Sequence, residues 1–85
     1  MKHASLETIK SIEQYLKKIR TYNKLKEKKE GIFYNKGSAF LHFHEDKELL
    51  FADLKINNEW KRFRVNNNQE WDYFLLELKN ILDKS

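Results

Sequence analysis

His42, His44 and Asp46 stand two residues apart in the stretch F-L-H-F-H-E-D. On a β-strand successive side chains alternate between faces, so this spacing points three metal-capable groups the same way. Two imidazoles at alternate strand positions can share a transition metal. A closed zinc site, however, takes four protein ligands, and a catalytic one takes three plus water. Asp46 falls in a proposed turn, His3 is far away in sequence, and the chain contains no Cys. The expectation is a pair of histidines hydrogen-bonded to neighbouring strands, with no metal and no cofactor. For catalysis, His42 and His44 have the types of a general base and acid, with Arg64 beside Phe51 as an anion stabiliser. Ser38, His42 and Asp53 have the types of a triad, but no nucleophile elbow surrounds Ser38. There is no phosphate-binding loop and no glycine-rich dinucleotide fingerprint. No enzyme and no catalytic residues are expected.

These residues belong to a stretch, Gly37 to Val65, that reads as a three-stranded antiparallel meander. Sharp turns are predicted at Asp46-Lys47 and Asn57-Asn58. The first turn pairs Glu45 with Glu48, which sets His42 opposite Phe51 and Phe40 opposite Asp53. The second pairs Ile56 with Glu59, setting Lys55 opposite Trp60, Asp53 opposite Arg62 and Phe51 opposite Arg64. One face then collects Ala39, Leu41, Phe43, Leu50, Ala52, Leu54, Phe63 and Val65, which is a core. The other, outer face collects Phe40, His42, His44, Leu49, Phe51, Asp53, Lys55, Trp60, Arg62 and Arg64. Aromatic rings and cations mixed on one face are the clue to function.

A helical segment lies on each side of the meander. From about Ser5 to Lys29, Leu6, Ile9, Ile12, Leu16 and Ile19 recur at helical spacing, with Ser5 as the cap and Gly31 as the stop. The stripe weakens after Ile19. Ile32, Phe33 and Tyr34 suit a short fourth strand that returns through Asn35-Lys36-Gly37. Asn67 with Glu70 marks the start of a second helix at about Asn68, in which Trp71, Phe74, Leu75, Leu78, Ile81 and Leu82 form an apolar stripe. The fold class is α+β in the order α-β-β-β-α: a three- or four-stranded antiparallel meander with helices mainly on one face, forming a single domain over 1-85. At the F-L-H-F-H strand, continuing through E-D into L-F-A-D-L-K, the chain resembles a group of small uncharacterised bacterial proteins. That resemblance covers about residues 33 to 65 and implies no activity.

Eighty-five residues make one small domain, too small for a deep enclosed active site. The formal charge is +4, with residues 1–30 carrying +5 and residues 31–85 carrying −1. No apolar run approaches a membrane span and the N-terminus lacks the apolar core of a signal peptide, so a cytoplasmic protein without a membrane partner is expected. The double-stranded RNA-binding domain shares the element order, but its second helix opens on lysines. Here the same place reads N-Q-E-W-D, which repels phosphate. The expected function is a binding or interaction module acting through the outer face, either as a homodimer or with a protein partner. Single-stranded nucleic acid is the alternative: Phe40, Phe51 and Trp60 would stack bases, and Lys55, Arg62 and Arg64 would hold phosphates. A histidine-based metal or hydrolytic site is third.

Overall fold

Leu, Ile, Phe and Ala alternating with polar residues across the middle of the chain produce a sheet, and the computed structural model describes residues 2–84 of the chain, apart from the side chain of Lys2. The element order is β1 (Lys2–His3), α1 (Leu6–Ser11), α2 (Glu13–Ile19), β2 (Leu25–Lys29), β3 (Ile32–Asn35), β4 (Ser38–Asp46), β5 (Leu49–Ile56), β6 (Glu59–Arg64) and α3 (Asn68–Lys84). Strands β2 to β6 lie side by side in chain order, all antiparallel. The sheet is α+β as expected, but larger than a meander of three or four strands. The short β1 pairs with β4 at His44 and Glu45, whereas β3 pairs with β4 only over Ser38–Leu41. β1 therefore takes over the β4 edge where β3 has ended.

The N-terminal segment departs most from expectation, since the helix predicted over Ser5 to Lys29 ends at Ile19. It also bends at Ile12, where the Ser11 hydroxyl donates back to the Thr8 carbonyl and competes with the helical ladder. The apolar stripe survives the bend, and Ile9, Ile12, Leu16 and Ile19 are all buried. Residues Leu25–Lys29 form a strand, with Leu25 and Glu27 turned inward and Lys26 and Lys28 exposed. An Arg20 fork joins Glu13 of α2 to Glu27 of β2 (2.6 Å to Glu27) and fixes the path between them. Gly31 is thus a hairpin residue and not a helix stop, with φ of +79°. A Cβ there would stand 2.7 Å from Ile9 Cδ1, so the turn needs glycine both for its conformation and for its packing on α1.

In the meander, the β5–β6 hairpin has the expected register through Asn57-Asn58: Lys55 faces Trp60, Asp53 faces Arg62 and Phe51 faces Arg64. The β4–β5 hairpin does not. Its turn is Lys47-Glu48, both residues having positive φ, so Asp46 pairs with Leu49, His44 with Phe51 and His42 with Asp53. Moving the turn by one residue changes each partner by two, which preserves the faces. A second correction does change a face. Phe33 pairs with Leu41 and Tyr34 with Ala39, so Phe40 is the extra residue of a β-bulge. The bulge turns Phe40 into the core beside Leu41, and it is only 6% exposed. Phe40 is therefore no part of the outer face.

α3 covers the core face with Trp71, Phe74, Leu78 and Leu82, each contributing about 1.5–3 kcal/mol by burial. Its start is capped as expected: the Glu70 N–H donates to Asn67 Oδ1 at 2.9 Å. The Glu70 carboxylate accepts from the backbone N–H of Asn66, one residue before the expected cap. Tyr15 of α2 stacks on Trp71, with ring centroids 4.2 Å apart and planes 7° from parallel. Both helical regions thus pack on the core face, and the first helix does not cover the outer one.

Candidate metal centre

Strand alternation brings His42 and His44 of β4 to the outer face. The third histidine arrives from the other end of the chain. His3 is the Cα partner of His44, its neighbour Ala4 donates its N–H to the Phe43 carbonyl at 3.1 Å, and the strand then passes into α1. Glu45 secures that junction by accepting from the Ser5 N–H at 3.3 Å and the Thr8 hydroxyl at 2.6 Å. His3 is thereby held across the strand from His44. Ring centroids are 4.6 Å apart for His3 and His44, 4.6 Å for His42 and His44, and 5.7 Å for His3 and His42. One nitrogen from each ring can be chosen so that all three lie within 4.8 Å of one another. The distance in sequence that set His3 aside is spanned by the β1–β4 pairing. All three histidines of the chain are in the cluster.

Behind the cluster stands Asp53, 4% exposed and the only buried charged residue among the described residues. Its Oδ2 accepts from His44 Nδ1 at 2.8 Å, while Arg62 donates through Nε to Oδ1 at 2.8 Å and through Nη2 to Oδ2 at 2.9 Å. A carboxylate ion only accepts, so His44 donates from Nδ1, which in the neutral imidazole leaves the lone pair on Nε2. Burial by itself would raise the Asp53 carboxyl, but the hydrogen bonds from Arg62 and His44 outweigh it and hold the pKa below the usual carboxylate value. Asp53 is thus a fixed anion that orients one imidazole. In metalloproteins such carboxylate partners fix the tautomer of a ligating histidine and raise its basicity.

His42 sits between the other two rings and Trp60, whose ring centroid is 4.5 Å away. Its Nδ1 is the one buried side-chain polar atom without a hydrogen-bond partner among the described residues. The sequence predicts hydrogen bonds to neighbouring strands for both histidines; only His44 has its ring bonded in this way. Burial lowers the His42 pKa below the usual imidazole value, the neighbouring His44 adds to this, and the Asp53 carboxylate opposes it. His42 is consequently neutral at pH 7, the state in which an imidazole can ligate a metal.

The other predicted site residues divide into two groups. Lys55 lies 5.8 Å from the Trp60 ring, and the Arg62 guanidinium 5.6 Å from the Phe51 ring, so cations and rings of the outer face are already paired. Arg64 approaches Glu70 at 3.8 Å. Asp46 ends β4 opposite Leu49 and is outside the histidine cluster, and the Ser38 hydroxyl donates to the Asn35 carbonyl instead of meeting His42. No triad is assembled. Sequence reasoning missed His3, because a two-residue strand has no periodicity to detect. Among the described residues, no helix is long and apolar enough to cross a membrane. Comparison of the chain with protein-family models, curated proteins and solved structures finds no match.

Proposed function

We propose that this protein binds a divalent transition metal, zinc being the reference ion, through His3, His42 and His44. The carrying observation is the convergence of three imidazoles, one of them oriented by a buried carboxylate that is itself fixed by an arginine. Three imidazoles suit zinc, copper, nickel or cobalt more than magnesium or calcium, which select oxygen ligands. In a tetrahedral zinc site with Zn–N near 2.0–2.1 Å, ligand nitrogens stand about 3.3 Å apart. The cluster must therefore contract by about 1.5 Å at its widest. His3 is the exposed member of the three and so the ring with room to rotate. Three protein ligands leave a position open for water or an exogenous ligand.

Isothermal titration of metal-free protein with zinc at neutral pH tests this. One ion per chain is expected, with affinity falling by at least an order of magnitude in His42→Gln or His44→Gln. Absence of saturable binding, or equal binding by the double Gln variant with its fold intact, refutes the reading.

A second reading keeps the outer face as an interaction surface for another copy of the chain. Exposed Trp60 and Leu49, with Phe51 half-buried on the same side, favour it. Burial of Phe40 makes that patch smaller than expected from sequence. Sedimentation over a concentration series tests it: a dimer that dissociates in Trp60→Ala supports pairing, and a monomer at every concentration refutes it.

A further inference from the structure

Of the cations expected to meet nucleic acid, Lys55 and Arg62 are committed to Trp60 and Asp53 on the outer face of the meander, and Arg64 approaches Glu70 in the first turn of α3. Another set, Lys26, Lys28 and Lys36, has no acidic partner among the described residues, although Lys28 lies over the Tyr34 ring. Strand β2 alternates so that Leu25 and Glu27 turn to the interior and Lys26 and Lys28 turn out. Tyr34 is the cross-strand partner of Lys26, and Lys36 stands in the following turn. Together with Lys24 and Asn23 these residues line a cleft of about 300 Å³. Among the described residues that line it, none is acidic. The one acid within β2 cannot neutralise the lysines, because Glu27 is bound to Arg20 and to the Gly31 N–H on the opposite side of the strand. Lys24 closes one end by donating to the Leu82 carbonyl at 2.6 Å.

We infer that this cleft binds the phosphodiester backbone of a single-stranded nucleic acid, through Lys26, Lys28 and Lys36 with Tyr34 as a stacking platform. Three features fit that ligand better than an isolated anion. Lys26 and Lys28 are two strand residues apart, about 6.6 Å of rise, comparable with the separation of successive phosphates along an extended single strand. Lys26 and Lys28 follow the edge strand β2 and Lys36 stands in the β3–β4 turn, so the three extend the charge as a row, suited to a polymer. Tyr34 lies within the row, and its ring already accepts a cation, the Lys28 ammonium at 4.6 Å from its centroid. A base stacking there displaces the ammonium towards a phosphate, and base–aromatic stacking with adjacent lysines is the sequence-tolerant mode of single-strand binding. Lysines on an edge strand also guard against edge-to-edge aggregation, a role that requires no ligand and that the test separates.

The test is fluorescence anisotropy with a labelled mixed-sequence single-stranded RNA of about 12 nucleotides, within the usual site size of such modules. It is run with chelator so that the histidine cluster plays no part. Expected are saturable binding at low salt and a slope of about −2 in log affinity against log salt, three lysines each contributing about −0.7. The Lys26→Gln/Lys28→Gln variant loses at least tenfold, Tyr34→Leu loses about tenfold, and Lys47→Gln in the distant β4–β5 turn is unchanged. All four substitutions are on the surface or half-buried, and thermal unfolding verifies that each variant is folded. No binding at low salt overturns the inference, as does binding that the double variant retains. A nucleoside triphosphate that binds as tightly as the strand overturns it too, by showing a site for a small anion.

Discussion

The two faces of the sheet are held by different physics, and β5 shows both in one strand. Ala52 and Leu54 point into the core and are fully buried, whereas Phe51, Asp53 and Lys55 point the other way, Phe51 and Asp53 paired with the Arg62 guanidinium and Lys55 with the Trp60 ring. On the core face stabilisation comes from volume and area, is non-directional, and is shared among many side chains. On the outer face it comes from a chain of directional contacts, His44 to Asp53 to Arg62, in which each member has one place to stand. The first kind of surface specifies a fold. The second holds functional groups in fixed orientations, which is why the candidate site lies there.

If that contrast holds, truncation on the core face costs most. Phe74→Ala removes a side chain of α3 with no exposed surface, and about 3–5 kcal/mol of stability is expected to go with it, measured as a lowered urea midpoint. Metal affinity, where the variant stays folded, is expected to change little. Asp53→Asn reverses the pattern. It costs about 1–3 kcal/mol, because Arg62 and His44 lose a buried charged acceptor, yet it weakens metal binding by about 10–100-fold. A core variant with the larger binding defect would break the comparison.

Acidification separates the faces without mutation. His42 has a pKa below 6.5, so the unfolded chain binds its proton first; its contribution is complete above 6.5 and is lost as pH falls through the lowered value. Asp53 has a pKa below 3.8, so its contribution is complete above that value and is lost further down, as pH falls through its own lowered pKa. Urea midpoints at a series of pH values are expected to show two steps. His42→Gln removes the upper step and Asp53→Asn the lower, while Phe74→Ala retains both.

The backbone gives the smaller effects. Gly31→Ala forces a Cβ against Ile9 in a left-handed conformation and is expected to cost about 1–2 kcal/mol. Glu48→Gly acts in the opposite sense. Glu48 holds φ of +71° in an open turn, and relieving it is expected to stabilise by about 0.5–1 kcal/mol without altering metal affinity.

Much of the core face was legible in the sequence because period-two and helical patterns report burial directly. α3 and the β5–β6 register came from an apolar stripe and from an Asn-Asn turn that accepts positive φ in both residues. Three features were hidden, each where a local rule had competition. Lys47-Glu48 has no turn residue to mark it, so the turn was placed one residue early, at Asp46. Phe40 looked outward because a bulge leaves no signature in an apolar strand, and Leu25–Lys29 looked helical because its lysines and glutamate favour helices when tertiary pairing does not decide. Of the candidate site, His42, His44, Asp53 and Arg62 were named from alternation alone, and Asp53 was matched with Arg62. His3 and the His44–Asp53 bond were beyond reach, since they depend on a two-residue strand and on the corrected β4–β5 register.

The central claim is that three imidazoles of one chain hold one metal ion. X-ray absorption at the zinc edge, on protein loaded with one equivalent and then freed of excess metal, tests it most directly. Three imidazole nitrogens at about 2.0–2.1 Å are predicted, falling to two in His3→Gln. A shell of oxygen ligands alone, or an imidazole count that His3→Gln leaves unchanged, would contradict it.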